Sequence, residues 1–163
     1  MRRIVLLAAI GLVMGLAGLA YGMGGNLDKP SISIPTDPAT KAPDPVTRKI
    51  FDVLWSHRND FTGGSFINAR SELYFAGGVE GVNALLADLA KVNGVTLRVR
   101  LSKDAGATQW MFPGKEALPQ RPCDCRIDHV GWGDAHQITL TIYLGGNRID
   151  ANKLELPTIK GQR

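Results

Sequence analysis

Apolar and polar positions alternate between residues 71 and 102 in a way that predicts a strand, a helix and a second strand. Leu73 and Phe75 alternate with Glu72 and Tyr74, and Gly77 with Gly78 then breaks the run. Val79, Val82, Leu85, Leu86, Leu89 and Val92 recur at spacings of three and four, so they share one helical face, while Glu80, Asn83 and Lys91 fall mostly on the other. Glu80 near the start and Lys91 near the end suit the helix dipole. Asn93 and Gly94 can take the left-handed conformation that stops a helix, after which Val95, Leu97, Val99 and Leu101 alternate with Thr96, Arg98 and Arg100. A strand covered by helices on both faces would read as a continuous apolar run. Arg98 and Arg100 therefore predict a sheet with one covered face and one open face.

The flanking segments extend this scheme. Asp44 followed by Pro45 predicts a helix start, with a carboxylate at the N-cap and a proline at the first helical position. Val46, Ile50, Val53, Leu54 and His57 share one side of that helix, and Phe51 and Trp55 widen its apolar stripe. Residues 59–65 read as a polar, glycine-bearing loop. Residues 126–132 predict a strand of undecided facing, because Ile127, His129 and Gly131 alternate with Asp128, Val130 and Trp132. Ile138, Leu140, Ile142 and Leu144 alternate with Thr139, Thr141 and Tyr143 in a clearer strand, joined to the previous one by a hairpin over residues 133–136. Residues 103–125 read as a long loop with a short strand around residues 110–112. Ile149 to Lys153 reads as a turn, and Leu154, Leu156 and Pro157 predict a short closing edge. The fold class that follows is α+β: a two-layer sandwich with a mixed sheet of about four or five strands and two helices on one face.

Two runs carry a resemblance. Tyr74 and Phe75, followed by the glycine turn and the helix with Leu85 and Leu86, form the first; the second is Gly145, Gly146, Asn147, Arg148, Ile149 and Asp150 continuing through Lys153, Leu154, Glu155, Leu156 and Pro157. Over residues 73–157 the chain resembles uncharacterised exported bacterial proteins of a planctomycete type. That group has no assigned activity, so the resemblance implies a single exported domain and no particular reaction.

Length and charge narrow the picture. The 163 residues leave room for one domain over residues 44–160 after a leader and a linker. Residues 1–22 carry Arg2 and Arg3, an apolar run from Ile4 to Ala20, and small residues around a cleavage point, the three parts of a signal peptide. An uncleaved anchor is the alternative, since the run is near the lower limit for spanning a bilayer. Either way the domain is expected outside the cytoplasm, periplasmic or secreted, with membrane contact only through this segment. Residues 23–43, with Gly24, Gly25, Pro30, Pro35, Pro38 and Pro43, read as a flexible linker. Two of the 19 Lys and Arg residues lie in the leader, and the 17 that remain face 15 acids. So small an excess argues against a nucleic-acid partner.

Candidate chemistry centres on Cys123, Cys125, His129 and His136, with Asp124, Asp128 and Asp134 interleaved. Thiolates and imidazoles suit zinc or copper, and a Cys-x-Cys pair can present two sulfurs to one ion. The spacing is not that of a zinc finger or ribbon. The alternatives are a local disulfide between Cys123 and Cys125, an inert pair, or thiol exchange in an oxidising compartment. The helix N-terminus that lowers a thiol pKa in thioredoxin-like proteins is missing from this pattern. No Gly-x-Ser-x-Gly elbow, phosphate-binding glycine loop or His-Glu-x-x-His occurs. His57 lies on the apolar side of its helix, where a structural histidine is expected. The second candidate is the open sheet face, where Glu72, Tyr74, Arg98, Arg100, Thr139, Thr141 and Tyr143 should project together. Tyr74, Arg98, Arg100 and Tyr143 are its expected binding residues, since aromatic and arginine side chains are enriched where proteins bind one another. The expected function is an exported or cell-envelope binding module for a protein partner, without a recognisable catalytic motif; the alternative is a metal-binding or thiol-redox protein centred on the Cys-x-Cys pair.

Overall fold

The computed structural model describes residues 31–32, 44–66, 70–108 and 120–158. The expected leader, the expected linker apart from residues 31–32, and the strand expected around residues 110–112 lie outside the described residues.

Asp44 caps the first helix, α1 (Pro45–Ser56), by accepting from the backbone N–H groups of Val46 and Thr47, both at 3.1 Å, and Pro45 takes the first turn. Ile50 and Leu54 are fully buried on its inner side, while Trp55 is exposed and stacks on Phe51. The second helix, α2 (Gly78–Ala90), buries Val82, Leu85, Leu86 and Leu89, the face that their spacing predicts. Burying each such side chain contributes on the order of 2 kcal/mol. His57 ends α1 and places Nε2 3.0 Å from the Asp88 carboxylate on α2, which ties the two helices together.

The strands are β1 (Ser31–Ile32), β2 (Phe61–Phe66), β3 (Arg70–Phe75), β4 (Val95–Ser102), β5 (Cys125–Trp132) and β6 (Ala135–Tyr143). They form one mixed sheet in the order β1-β2-β3-β5-β6-β4. The pairs β1–β2 and β4–β6 are parallel and the other three are antiparallel. Chain passage from β3 through α2 to β4 therefore spans the two strands β5 and β6, which enter later as a hairpin between them. One face carries Leu73, Phe75, Cys125, Ile127, Ile138, Leu140, Ile142 and Leu97, which join the helix residues in a single apolar core. This is the two-layer α+β sandwich that the alternation predicts.

Three local expectations are corrected. Residues 61–65, part of the loop expected over residues 59–65, belong to β2, which has an irregularity between Phe61 and Gly63. Gly64 has φ +91° there, and a Cβ would sit 2.2 Å from the Glu72 carbonyl oxygen, so only glycine permits the approach of β3. Two residues of the expected linker pair with β2 as β1. The closing edge around Leu154 and Leu156 is not a strand. It follows a 3₁₀ turn (Ala151–Lys153) and is held against α2 by Asn83, whose side chain donates to the Lys153 carbonyl at 2.8 Å and accepts from the Glu155 N–H at 2.9 Å.

Candidate functional site

Register fixes the open face. Glu72, Asp128, Thr139 and Arg98 are successive partners across β3, β5, β6 and β4, and Tyr74, Arg126, Thr141 and Arg100 form the next row. All seven residues expected on this face are therefore on it, since direct partners project to the same side. Their environments differ. Tyr74 is only 2% exposed and its hydroxyl donates to Glu72, so the expectation that it offers binding surface is corrected. Arg126 Nε lies 2.9 Å from Asp128 Oδ2, each half-buried. Burial raises the Asp128 carboxyl above its ordinary range, Arg126 and Arg100 pull it back, and the neighbouring Glu72 charge adds to the rise. Tyr143 is partly covered as well. The chain folds back over it, with Cys123 N–H donating to the Gly106 carbonyl and Thr108 N–H to the Arg121 carbonyl. A Cβ on Gly106 would fall 2.4 Å from the Tyr143 ring, which shows how closely this strap crosses the face. Arg98 and Arg100 are different again: both are exposed, and neither makes an ion pair or side-chain hydrogen bond among the described residues.

The four residues expected to share a metal divide into two pairs. Cys125 and His129 are four residues apart along β5, about 13 Å in extended chain, which is beyond the reach of one ion. Convergence of all four is thus corrected. Among the described residues no group of three or more His, Cys, Asp or Glu side chains is placed to hold a metal ion. Cys123 and Cys125 are both buried free thiols. Two residues of near-extended chain separate Cα atoms by roughly 6.6 Å, at the upper end of what a disulfide accepts. Burial pushes the Cys123 thiol up to about 11, with Asp124 adding to the rise, and burial pushes Cys125 higher still. Burial of this kind disfavours the thiolate, the form that acts as nucleophile and metal ligand.

Asp124, between the cysteines, is completely buried. Its carboxylate accepts from the Gly78 N–H at 2.8 Å and from Arg148 Nε at 2.7 Å, while its backbone bridges Phe75 and Tyr143. It clips the start of α2 to β5 and to the turn after β6. The glycine pair at the helix start was visible in sequence as a turn; the acid that satisfies its free N–H was not.

The histidines do converge, at the other end of β5. His129 Nε2 lies 3.0 Å from His136 Nδ1, and His136 Nε2 lies 3.0 Å from both the Asp44 carboxylate and the Gly133 carbonyl. His136 has Gly131 as its direct partner across the hairpin, so no side chain stands between it and His129, one step along on the diagonal. Burial would raise Asp44, but hydrogen bonds from Thr47 and Val46 and the nearby His136 bring it below its ordinary value. With that carboxylate ionised, His136 Nε2–H donates to it, and in the neutral tautomer His136 Nδ1 accepts from His129 Nε2–H. His129 Nδ1 then keeps a bare lone pair, buried and without a hydrogen-bond partner, with the Phe66 ring 5.1 Å away between centroids. Burial, followed by the charge of His136, lowers His129 to about 4. Ser71 is the direct partner of His129 on β3, and His129 Nδ1 receives no hydrogen bond from it. The arrangement links the two imidazoles in a chain from the cap of α1 to the β5–β6 hairpin.

Comparison with protein-family models, with curated proteins and with solved structures returns no match to this chain.

Proposed function

We propose that this is a binding module acting outside the cytoplasm, and that it engages an anionic protein partner through the β4 side of the open sheet face. What carries the reading is the contrast among the arginines. Arg48, Arg126 and Arg148 are each within 3.2 Å of a carboxylate, whereas Arg98 and Arg100 stand exposed and side by side on one face with no carboxylate in bonding contact among the described residues. Two guanidinium groups at such spacing present donors in fixed forks suited to carboxylates. Glu72 and Asp128 lie on the same face but bond to Tyr74 and Arg126, and Arg100 acts on Asp128 only through its charge, so the guanidinium donors left without a bonded acid are at the β4 end. Export rests on the leader-like residues 1–22.

The test is calorimetric titration with a glutamate-rich peptide and a lysine-rich one, at low and raised salt. The acidic peptide is expected to bind, more weakly as salt rises. Arg98→Glu combined with Arg100→Glu should abolish that binding while the circular dichroism melt is unchanged. Equal titration of both peptides, or full retention by the double variant, refutes the reading.

A further inference from the structure

Resting on that reading, we infer that the partner contributes an extended segment, alternating acidic and apolar residues, that adds as a strand along the free edge of β4. β4 ends the sheet, and its eight residues pair only with β6, in unbroken register from Val95 opposite His136 to Ser102 opposite Tyr143. Among the described residues nothing pairs with its other edge. Natural sheets shield such edges by shortness, bulges, proline or charged side chains, and of these β4 has only the charges of Arg98 and Arg100. The opposite edge, β1, is two residues long; β4 has eight, no bulge and no proline.

The two faces of β4 specify the segment. Thr96, Arg98 and Arg100 project to the open face and Val95, Leu97, Val99 and Leu101 to the helix face, where Leu101 is 51% exposed and Val95 and Val99 are half-buried. An added strand places alternate residues beside the arginines and beside this apolar row, since strand side chains alternate with period two. Acidic residues match the first and apolar residues the second. The same charges argue against a second copy of this chain. Pairing of two β4 edges with their open faces together sets Arg98 and Arg100 of one copy against those of the other, and like charges directly opposite are unfavourable.

The probe is a synthetic peptide alternating glutamate and valine, compared with a scrambled peptide of identical composition. The alternating peptide is expected to bind at least about tenfold more tightly than the scrambled one, and Arg98→Glu plus Arg100→Glu to weaken it by about tenfold or more. N-methylation of every second peptide amide separates strand addition from simple charge attraction. In a strand, alternate N–H groups point to opposite edges, so one methylated series should lose binding and the other keep it. Equal behaviour of the two series overturns strand addition even if the charge-reversed variant fails to bind, which would leave the underlying anionic reading standing. Retention of binding by that variant overturns both. Dimerisation of the free protein through β4 also overturns the inference.

Discussion

At about pH 5 the protein is expected to be roughly 2 kcal/mol less stable than at about pH 7, and the loss is expected to come from His129. That side chain is 2% exposed, and burial with the neighbouring His136 lowers its pKa from 6.5 to about 4. Below its ordinary value the unfolded chain takes up a proton that the folded chain refuses until about pH 4. Protons therefore favour unfolding across that window. The stability is fully present above 6.5, falls as the pH drops, and is gone near 4; at about 1.4 kcal/mol per pH unit the whole window is worth about 3 kcal/mol. Asp44, the cap on which the relay ends, is lowered from 3.8 and loses its contribution only below that range. Asp128 is raised and works in the opposite direction, but although it directly precedes His129 its side chain projects to the opposite face of the sheet, so its contribution is common to wild type and variant. Urea unfolding of wild type and His129→Gln at a series of pH values isolates the effect. The glutamine amide can still donate to His136 Nδ1 but does not titrate. The wild-type curve should steepen between about pH 7 and pH 5 while the variant stays flatter by about 2 kcal/mol. Parallel curves would refute the assignment of the lost stability to His129.

Other consequences are more local. Leu86, fully buried at the centre of the α2 face, should cost about 2–5 kcal/mol as Leu86→Ala, whereas Arg98→Ala should change denaturant stability by less than about 0.5 kcal/mol. Asp124→Ala leaves the Gly78 N–H without its acceptor and should cost about 1–3 kcal/mol, read in the same assay. Cys123 and Cys125 should react with a thiol reagent slowly in the folded protein and in full after unfolding without reductant; quantitative absence of thiols in the unfolded, unreduced protein would show that the pair is bridged.

What the sequence disclosed and what it concealed follow from how local each cause is. β3, β4 and β6 were legible because a sheet with one buried face writes its burial as alternation. β2 was not, because Gly63 and Gly64 carry no side chains to alternate; of these, Gly64 is what lets β3 approach. Facing in β5 was ambiguous for a related reason. The core side reads Cys125, Ile127, His129 and Gly131, two of which are not apolar, and only the ladder to Leu73 and Leu140 settles it. The two-residue turn at Gly133 and Asp134 sets Trp132 opposite Ala135 and so brings His136 beside His129. A turn longer by one residue would have sent the two imidazoles to opposite faces.

Asp44 shows why the polar contacts in particular escaped. Its place before Pro45 is fully explained by capping α1, and the cap is made as expected. That local explanation leaves no sign of a second partner 92 positions later, His136, on the same carboxylate. Asp124 is the converse case: it has no local explanation, and flanked by cysteines it invited a metal reading, while its partners Gly78 and Arg148 lie 46 and 24 residues away. Both acids are buried and both are satisfied by groups that folding alone brings within reach, so their cost of burial is offset only in the assembled domain. The exposed pair Arg98 and Arg100 stands outside this pattern. Where Asp44 and Asp124 are each matched by a distant residue of the same chain, an acid that bonds these two is most simply sought on another chain, at the long edge that the described residues leave open.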